Sequence, residues 1–317
     1  MADVSHRIIL TGASGMLGKA ILEELANNPS AEVLALYRGN LPSTASANIQ
    51  NASCNLQSED AVENFLEEFE PTIFIHSAAT GMQTPLPDKE TFHQVNVELP
   101  ARLAKIVAGR SHFVHVSSGL AYTDQGRPLR EDDPLGTRHP YGASKVEAEK
   151  RLLEIANSRD FSLTVLRPFS FTGKGDFGSK LFPSLLRSSE KGEPFKMSTG
   201  EQVRDHASVR DIARGVVAAS LLPAPASKPR VFNLGSGDCR SLREVVLDVT
   251  KQLAVPVEIQ FGERPRLPDE PMFMVADTTR AQNELGWITR ENLACAVWQL
   301  AQNSFPALKL KEPAPER

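Results

Sequence analysis

The chain holds only three cysteines, Cys54, Cys239 and Cys295, far apart and odd in number. They offer neither a disulfide framework nor a zinc-ligand spacing, so reduced thiols and no metal centre are expected. No apolar run reaches the roughly 18 residues of a membrane span. No block of lysine and arginine marks a nucleic-acid surface, and the net charge is −4 with both signs dispersed. The opening segment MADVSHRIIL enters an apolar strand at once, without the hydrophobic core and cleavage site of a signal peptide. A cytoplasmic protein that uses neither membrane nor nucleic acid is expected. Aromatic residues are sparse at 6%, and only Tyr37, Tyr122 and Tyr141 carry a phenol.

What is present is enough for a full core: 317 residues, 41% of them hydrophobic. Short apolar runs (RIIL, EVLALY, TIFIHSAA, HFVHVSS, SLTVLRP) alternate with helical patterns such as Leu17, Ile21, Leu22 and Leu25. Another helix is expected through Val95, Leu99, Leu103 and Val107, and Ser58 is a cap for SEDAVENFLEEF. Continuous apolar strands alternating with helices predict an α/β fold with a doubly wound parallel sheet. After Pro168 the rhythm becomes Gly-rich and polar, and helical patterns return at 209–222, 241–253 and 277–303. This predicts a sheet domain over 1–168 and a smaller, interleaved substrate-binding lobe over 169–308. Part of 209–253 is expected to return to the first domain, and 309–317 to form a flexible tail.

Three constellations carry chemistry. TGASGMLG, residues 11–18, lies where the first strand gives way to the first helix. Its Gly12, Gly15 and Gly18 permit a tight turn, close approach to a pyrophosphate, and helix packing on the strand. VHVSSGLAY, residues 114–122, puts Ser117 and Ser118 at a strand's carboxyl end, where such sheets bind ligands. In HPYGASKVEAEK, residues 139–150, Pro140 suits a first helical turn. Tyr141 and Lys145 then share one face at i,i+4. A phenol beside an ammonium is expected to have its pKa drawn down from about 10, which suits a proton donor and acceptor. Alone the pair is indistinguishable from a surface contact; the other two constellations give it weight.

In this order, the glycine motif, strand-end serine and Tyr-x-x-x-Lys resemble the extended short-chain dehydrogenase/reductases, the NAD-dependent epimerase/dehydratase family, in its nucleotide-sugar-modifying branch. IHSAA, LRPFSFTG, VRDHASVRDIARGV, VFNLGSG and DTTRAQNELGW resemble the family's other motifs, so the likeness spans nearly the whole chain. The resemblance implies a Rossmann-type domain with Tyr141 as acid/base. It implies that Lys145 lowers the tyrosine's pKa and holds the nicotinamide ribose. It selects Ser118 over Ser117 as the catalytic hydroxyl, four residues before Tyr122. Cofactor contacts are implied for Gly12, Ser14, Gly15, Met16, Leu17, Arg38, Asn55, Leu56, Ala78, Ala79, Tyr141, Lys145 and Pro168. Substrate contacts are implied for Thr80, Ser118, Arg204 and Arg266, and a homodimer is implied as well.

The second strand ends in Tyr37 and Arg38, without the acid that would accept from a free ribose 2′-OH. NADP is therefore expected, with NAD as the alternative; Asn55 stands where the family has an aspartate near the adenine. Arg204 and Arg266 match positions that grip the diphosphate of a nucleotide-sugar in similar proteins. Gly119 and Leu120 follow Ser118 where 4,6-dehydratases carry Asp-Glu, and the Cys and His of 3,5-epimerising members are missing. What remains is reduction of a keto group on a nucleotide-diphosphate sugar, with an NAD-dependent 4-epimerase as the alternative. A non-catalytic NADP-binding regulatory subunit would lack the serine, tyrosine or lysine, and all three are present. A reductase of a non-nucleotide carbonyl would not bring Arg204 and Arg266 to its site.

Overall fold

The computed structural model describes residues 5–39, 46–81, 86–158, 161–225, 228–266 and 270–314. Seven strands form one parallel sheet: β1 (His6–Thr11), β2 (Ala31–Tyr37), β3 (Ile49–Ser53), β4 (Ile73–His76), β5 (His112–Val116), β6 (Leu163–Pro168) and β11 (Arg230–Leu234). Their order is β11-β6-β5-β4-β1-β2-β3. The chain runs outward from β1 to β3 and then returns to the other side of β1 as β4. That reversal opens a crevice beyond the carboxyl ends of β1 and β4, where ligands bind in such sheets.

Both faces of the sheet are covered, which is why its strands read as continuous apolar runs. On one face Ile8, Leu10, Ile75 and Val114 pack with Ile21 and Leu25 of α1 (Met16–Ala26) and Ile212 and Val216 of α7 (Val209–Leu221). On the other, Ile9, Phe74, Phe113 and Val165 meet α2 (Glu59–Phe69), α4 (Leu99–Val107) and α5 (Pro140–Ser158). Each fully buried leucine or phenylalanine contributes about 1.5–3 kcal/mol. Ser58 caps α2, its side chain accepting from the Ala61 N–H at 3.3 Å.

Two local differences from the sequence reading have physical causes. The stretch after β2 reads as a loop, yet IQNAS forms the outer strand β3, paired Leu34 to Gln50 and Ala35 to Asn51. An edge strand with one unpaired side admits polar side chains, so its signal is weak. The helix through Val95 begins as α3 (Lys89–His93) and passes through a π turn, Gln94–Glu98, into α4. The wider turn shifts the inward face, burying Asn96 and Val97 and leaving Val95 half-buried.

The second lobe contains β7 (Ser170–Thr172), α6 (Leu181–Lys191), β8 (Phe195–Met197), β9 (Val203–Arg204) and β10 (His206–Ser208). It continues with α8 (Leu242–Leu253), β12 (Ile259–Phe261), β13 (Phe273–Met274), α9 (Thr279–Leu285) and α10 (Leu293–Ser304). Short parallel pairs join β10 to β7, β12 to β8 and β13 to β9. Phe182, Leu185, Val246, Val249, Val297 and Leu300 form its core. Within the tail expected from 309, residues 309–314 make contacts with the second lobe. Leu310 packs on the lobe core, and the Lys311 N–H donates to the Leu253 carbonyl at 2.9 Å. Leu308 and Leu310 supply an apolar anchor within an otherwise polar, proline-bearing segment; residues 315–317 lie outside the described residues. No helix among the described residues is long and apolar enough to cross a membrane.

Candidate active site

The glycine turn is shaped by close approach. Gly12 has φ +74°, and a Cβ there would lie 2.6 Å from the Ala78 nitrogen; one on Gly18 would lie 2.1 Å from the Gly12 carbonyl oxygen. Only glycine lets β1, β4 and α1 converge so tightly. α1 starts from Gly15 with no side-chain cap and no acidic residue in its first turn. Its first N–H groups and positive dipole end are thus available to an anion. Around this turn Ser14 and Ala79 are exposed, and Met16, Leu17, Leu56 and Ala78 are half-buried. Asn55 is exposed just beyond β3, its Oδ1 accepting from the Gln57 N–H at 3.1 Å. Arg38 is exposed at the end of β2, whereas Tyr37 belongs to the core, and Pro168 is buried at the end of β6. A glycine cradle leading to an uncapped helix suits a dinucleotide's pyrophosphate.

Ser118, Tyr141 and Lys145 meet at the carboxyl end of β5. The Ser118 hydroxyl accepts from the Leu120 N–H at 3.1 Å and hydrogen-bonds the Tyr141 phenol. Ser117 is diverted inward, its hydroxyl donating to the Glu149 carboxylate. Lys145 is 2% exposed; its Nζ donates to the Val116 carbonyl at 3.0 Å and lies 5.8 Å from the Tyr141 ring centroid. The phenol is not drawn down in this structure, contrary to expectation. Burial pushes Tyr141 up to about 12, against the smaller effect of the Ser118 hydrogen bond. Burial also lowers Lys145 to about 8, with Glu149 opposing. Desolvation outweighs the pair's mutual effect because the ammonium is turned to a backbone carbonyl.

Two supporting arrangements were not read from the sequence. Asn96, on the π turn, accepts from the Thr80 N–H at 2.9 Å, and its amide nitrogen donates to the Thr80 carbonyl and the Ser144 hydroxyl, both at 3.0 Å. Ser144 in turn donates to the Tyr141 carbonyl at 2.7 Å. The loop after β4 is thereby stapled to the first turn of α5. Beneath Lys145, Arg167 grips Glu149 at 2.6 Å and donates to the Tyr122 hydroxyl at 2.6 Å, which donates to Asn233 at 2.8 Å. The available signal was a charge on an otherwise apolar helix face: Lys145, Ala148, Glu149 and Leu152 are all buried.

On the lobe side, Arg204 donates through Nη2 to Glu270 at 3.1 Å, while its Nη1 is buried without a partner among the described residues. Met274 of β13 pairs with Arg204 of β9. Arg266 is exposed and lies against the Met272 thioether, whose backbone carbonyl accepts from the Val203 N–H at 2.8 Å. The two arginines therefore flank the same short strand pair, one withdrawn from solvent and one not.

A family model described as the NAD dependent epimerase/dehydratase family matches residues 8–235. The UDP-glucose 4-epimerase of Mycolicibacterium smegmatis is 29% identical over 307 residues, covering 91% of this chain and 95% of that protein. Methionine adenosyltransferase 2 subunit beta of Danio rerio is 31% identical over 149 residues, 47% of this chain and 44% of its own. Among solved structures, MoeE5 in complex with UDP-glucuronic acid and NAD superposes with a TM-score of 0.81 at 26% identity, over 95% of this chain and all (100%) of that one.

Proposed function

The chain belongs to the NAD dependent epimerase/dehydratase family, and from that premise we propose that it is an NAD-dependent nucleotide-sugar 4-epimerase. The observation that carries the reading is the hydrogen bond of Ser118 to Tyr141 beside buried Lys145 at the carboxyl end of β5. A Cβ on Gly119 would lie 2.8 Å from the Phe169 ring, so the position cannot take the aspartate that elimination requires without displacing that ring. One proton leaving and returning at a single oxygen, while a hydride leaves and returns at the carbon that bears it, is the chemistry this inventory supports.

Gly12, Gly15 and the start of α1 would hold the pyrophosphate of NAD, which when bound supplies reversible acceptance of a hydride. Tyr141 would take the proton from the sugar's C4 hydroxyl and later return it to the C4 keto oxygen, with Ser118 hydrogen-bonded to the same oxygen. Lys145 would stabilise the phenolate, bringing Tyr141 down from about 12 toward working pH. Arg204, whose Nη1 is buried and unpartnered among the described residues, would meet the diphosphate.

The reduction expected from the sequence gives way to this reading because the full-length likeness is to a UDP-glucose 4-epimerase and to a structure holding UDP-glucuronic acid and NAD. The observation that favours the second reading, NADPH-dependent reduction of a keto-sugar nucleotide, is exposed Arg38 where an acid would select NAD. Incubating the protein with UDP-glucose or UDP-glucuronic acid, with and without NAD, and following the C4 epimer by NMR separates the two. Epimer formation without NADPH supports the proposal. NADPH consumption on a 4-keto sugar nucleotide, with no epimer, overturns it. A cytoplasmic homodimer completes the reading, and sedimentation velocity tests the dimer.

A further inference from the structure

Asp205 decides what its neighbours face. It is wholly buried and accepts N–H bonds from Ser236 at 2.6 Å, Gly237 at 3.0 Å and Ala276 at 3.1 Å. In extended backbone, successive side chains point to opposite sides, so Arg204 and His206 emerge together on the side away from Asp205. The His206 ring meets Phe182 edge-on, centroids 5.6 Å apart, and β10 pairs His206 with exposed Ser170 of β7. His206 Nδ1 lies 3.2 Å from the Arg204 carbonyl oxygen. A carbonyl oxygen only accepts, so Nδ1 carries the hydrogen and Nε2 of the neutral ring is left with a lone pair. His206 is half-buried, so its ring is not closed off from solvent. A phosphate oxygen arriving there meets lone pair against lone pair, unless Nε2 gains a proton and becomes a donor.

We propose that His206 is a substrate contact that works only when protonated: a diphosphate seated on Arg204 draws a proton onto His206 Nε2 and is held by the resulting imidazolium. The inference rests on the nucleotide-sugar reading above and adds a pH-linked specificity to it.

The surroundings fit a group poised to respond to an incoming anion. Burial holds His206 down to about 4 against the hydrogen bond to the Arg204 carbonyl, with smaller opposing effects from the Arg204 charge, which lowers it, and Asp238, which raises it. Just before α6, Lys180 is engaged by Asp176 at 2.9 Å, and on α6 Arg187 donates to the Gly178 carbonyl at 3.1 Å. On α7, Arg210 faces Glu291 and Arg214 pairs with Asp211. β7, β13 and α10 carry no charged side chain. An added diphosphate supplies negative charge and so raises the pKa of His206. Between the free and bound values each binding event takes up a proton, and affinity rises as pH falls. A bound value of about 7 gives on the order of tenfold tighter binding at pH 6 than at pH 8.

The test is calorimetric titration of UDP-glucose at pH 6, 7 and 8, each in two buffers of different ionisation enthalpy. UDP-glucose carries a diphosphate diester that does not itself titrate in this range. The expected result is tighter binding at pH 6 with proton uptake, and loss of both slope and uptake in His206→Phe with little change at pH 8. Binding that is independent of pH in the parent, or a slope and uptake that persist in His206→Phe, overturns the proposal. No binding by the parent at any pH overturns the nucleotide-sugar reading instead. Should His206→Phe not fold, ring-nitrogen NMR of the parent decides: the His206 pKa must rise on adding UDP-glucose, and an unchanged value overturns the proposal.

Discussion

Arg167 and Glu149 meet at 2.6 Å with only 4% and 1% of their side chains exposed, one helical turn beyond Lys145 on α5. The carboxylate also receives the Ser117 hydroxyl and opposes the loss of charge at Lys145. One buried anion thus ties α5 to β5 and β6, and its field reaches the Lys145 ammonium.

Removing that anion alone should be costly. Glu149→Ala strands the Arg167 guanidinium in the core, and breaking a buried pair in this way costs about 3–5 kcal/mol. Glu149→Ala combined with Arg167→Met removes both charges and should recover part of the loss. Urea denaturation at pH 7 measures both. A single variant within about 0.5 kcal/mol of the parent would show that the pair bears little on folding.

Tyr141→Phe keeps the ring and its packing against Phe92, whose centroid is 6.3 Å away, while deleting the only phenol that reaches Ser118 among the described residues. Epimer formation should fall at least about 100-fold, since positioned acid–base groups contribute 10²–10⁴. NAD affinity should change little. Near-normal turnover would assign the proton transfer to another group.

Stability should fall on the acid side of neutrality. His76 is buried and held to about 3 by desolvation and then Lys145; His112 is held to about 4 by desolvation and then Arg230. Both folded values lie below the unfolded one of about 6.5, so the unfolded chain binds more protons between roughly pH 4 and 6.5. Stability is therefore greatest above that window and is lost as pH falls through it, by about 2 kcal/mol per group at pH 5. Denaturant midpoints at pH 7 and pH 5 test the sign. In His112→Gln the difference should shrink, and an undiminished difference would exclude His112 as a source.

The sheet was legible because its strands are apolar on both faces and the turn after β1 is marked by Gly12, which has a positive φ. β3 was not, since an outer strand of Ile, Gln, Asn, Ala and Ser buries too little to show a pattern. Ser118, Tyr141 and Lys145, which the structure brings together, stand in ordered motifs, which report residue types at fixed separations. Glu149 and Arg167 lie in two of those motifs, yet their pairing depends on how α5 lies on β6. The pKa of Tyr141 was misjudged for a related reason. Spacing gives the distance to a charge but not the depth of burial, and here burial has the larger effect.

The two arginines that looked equivalent in sequence should now behave differently. Arg204 is withdrawn from solvent, fixed through Nη2 by Glu270, and keeps a buried Nη1 with no partner among the described residues. Its fork is already oriented, so little side-chain entropy is lost when an anion arrives. Arg266 is exposed and rests on a thioether, so it must give up hydration and rotamer freedom to reach the same anion. Arg204→Ala should raise KM for UDP-glucose by about 10-fold or more, because a buried phosphate loses a charge-assisted bond of roughly 1.5–3 kcal/mol. Turnover at saturation should fall less, since the diphosphate is remote from C4 and contributes to both ground and transition states. Arg266→Ala should raise KM by only about 2–3-fold, in the range of an exposed ion pair. Arg204→Lys should not restore the parent value, for an ammonium cannot serve Glu270 and a phosphate in the same plane. Steady-state kinetics at pH 8, where His206 is neutral in the free enzyme, separates these effects from the histidine's. Equal losses for Arg204→Ala and Arg266→Ala would mean that the lobe closes over the ligand and buries both.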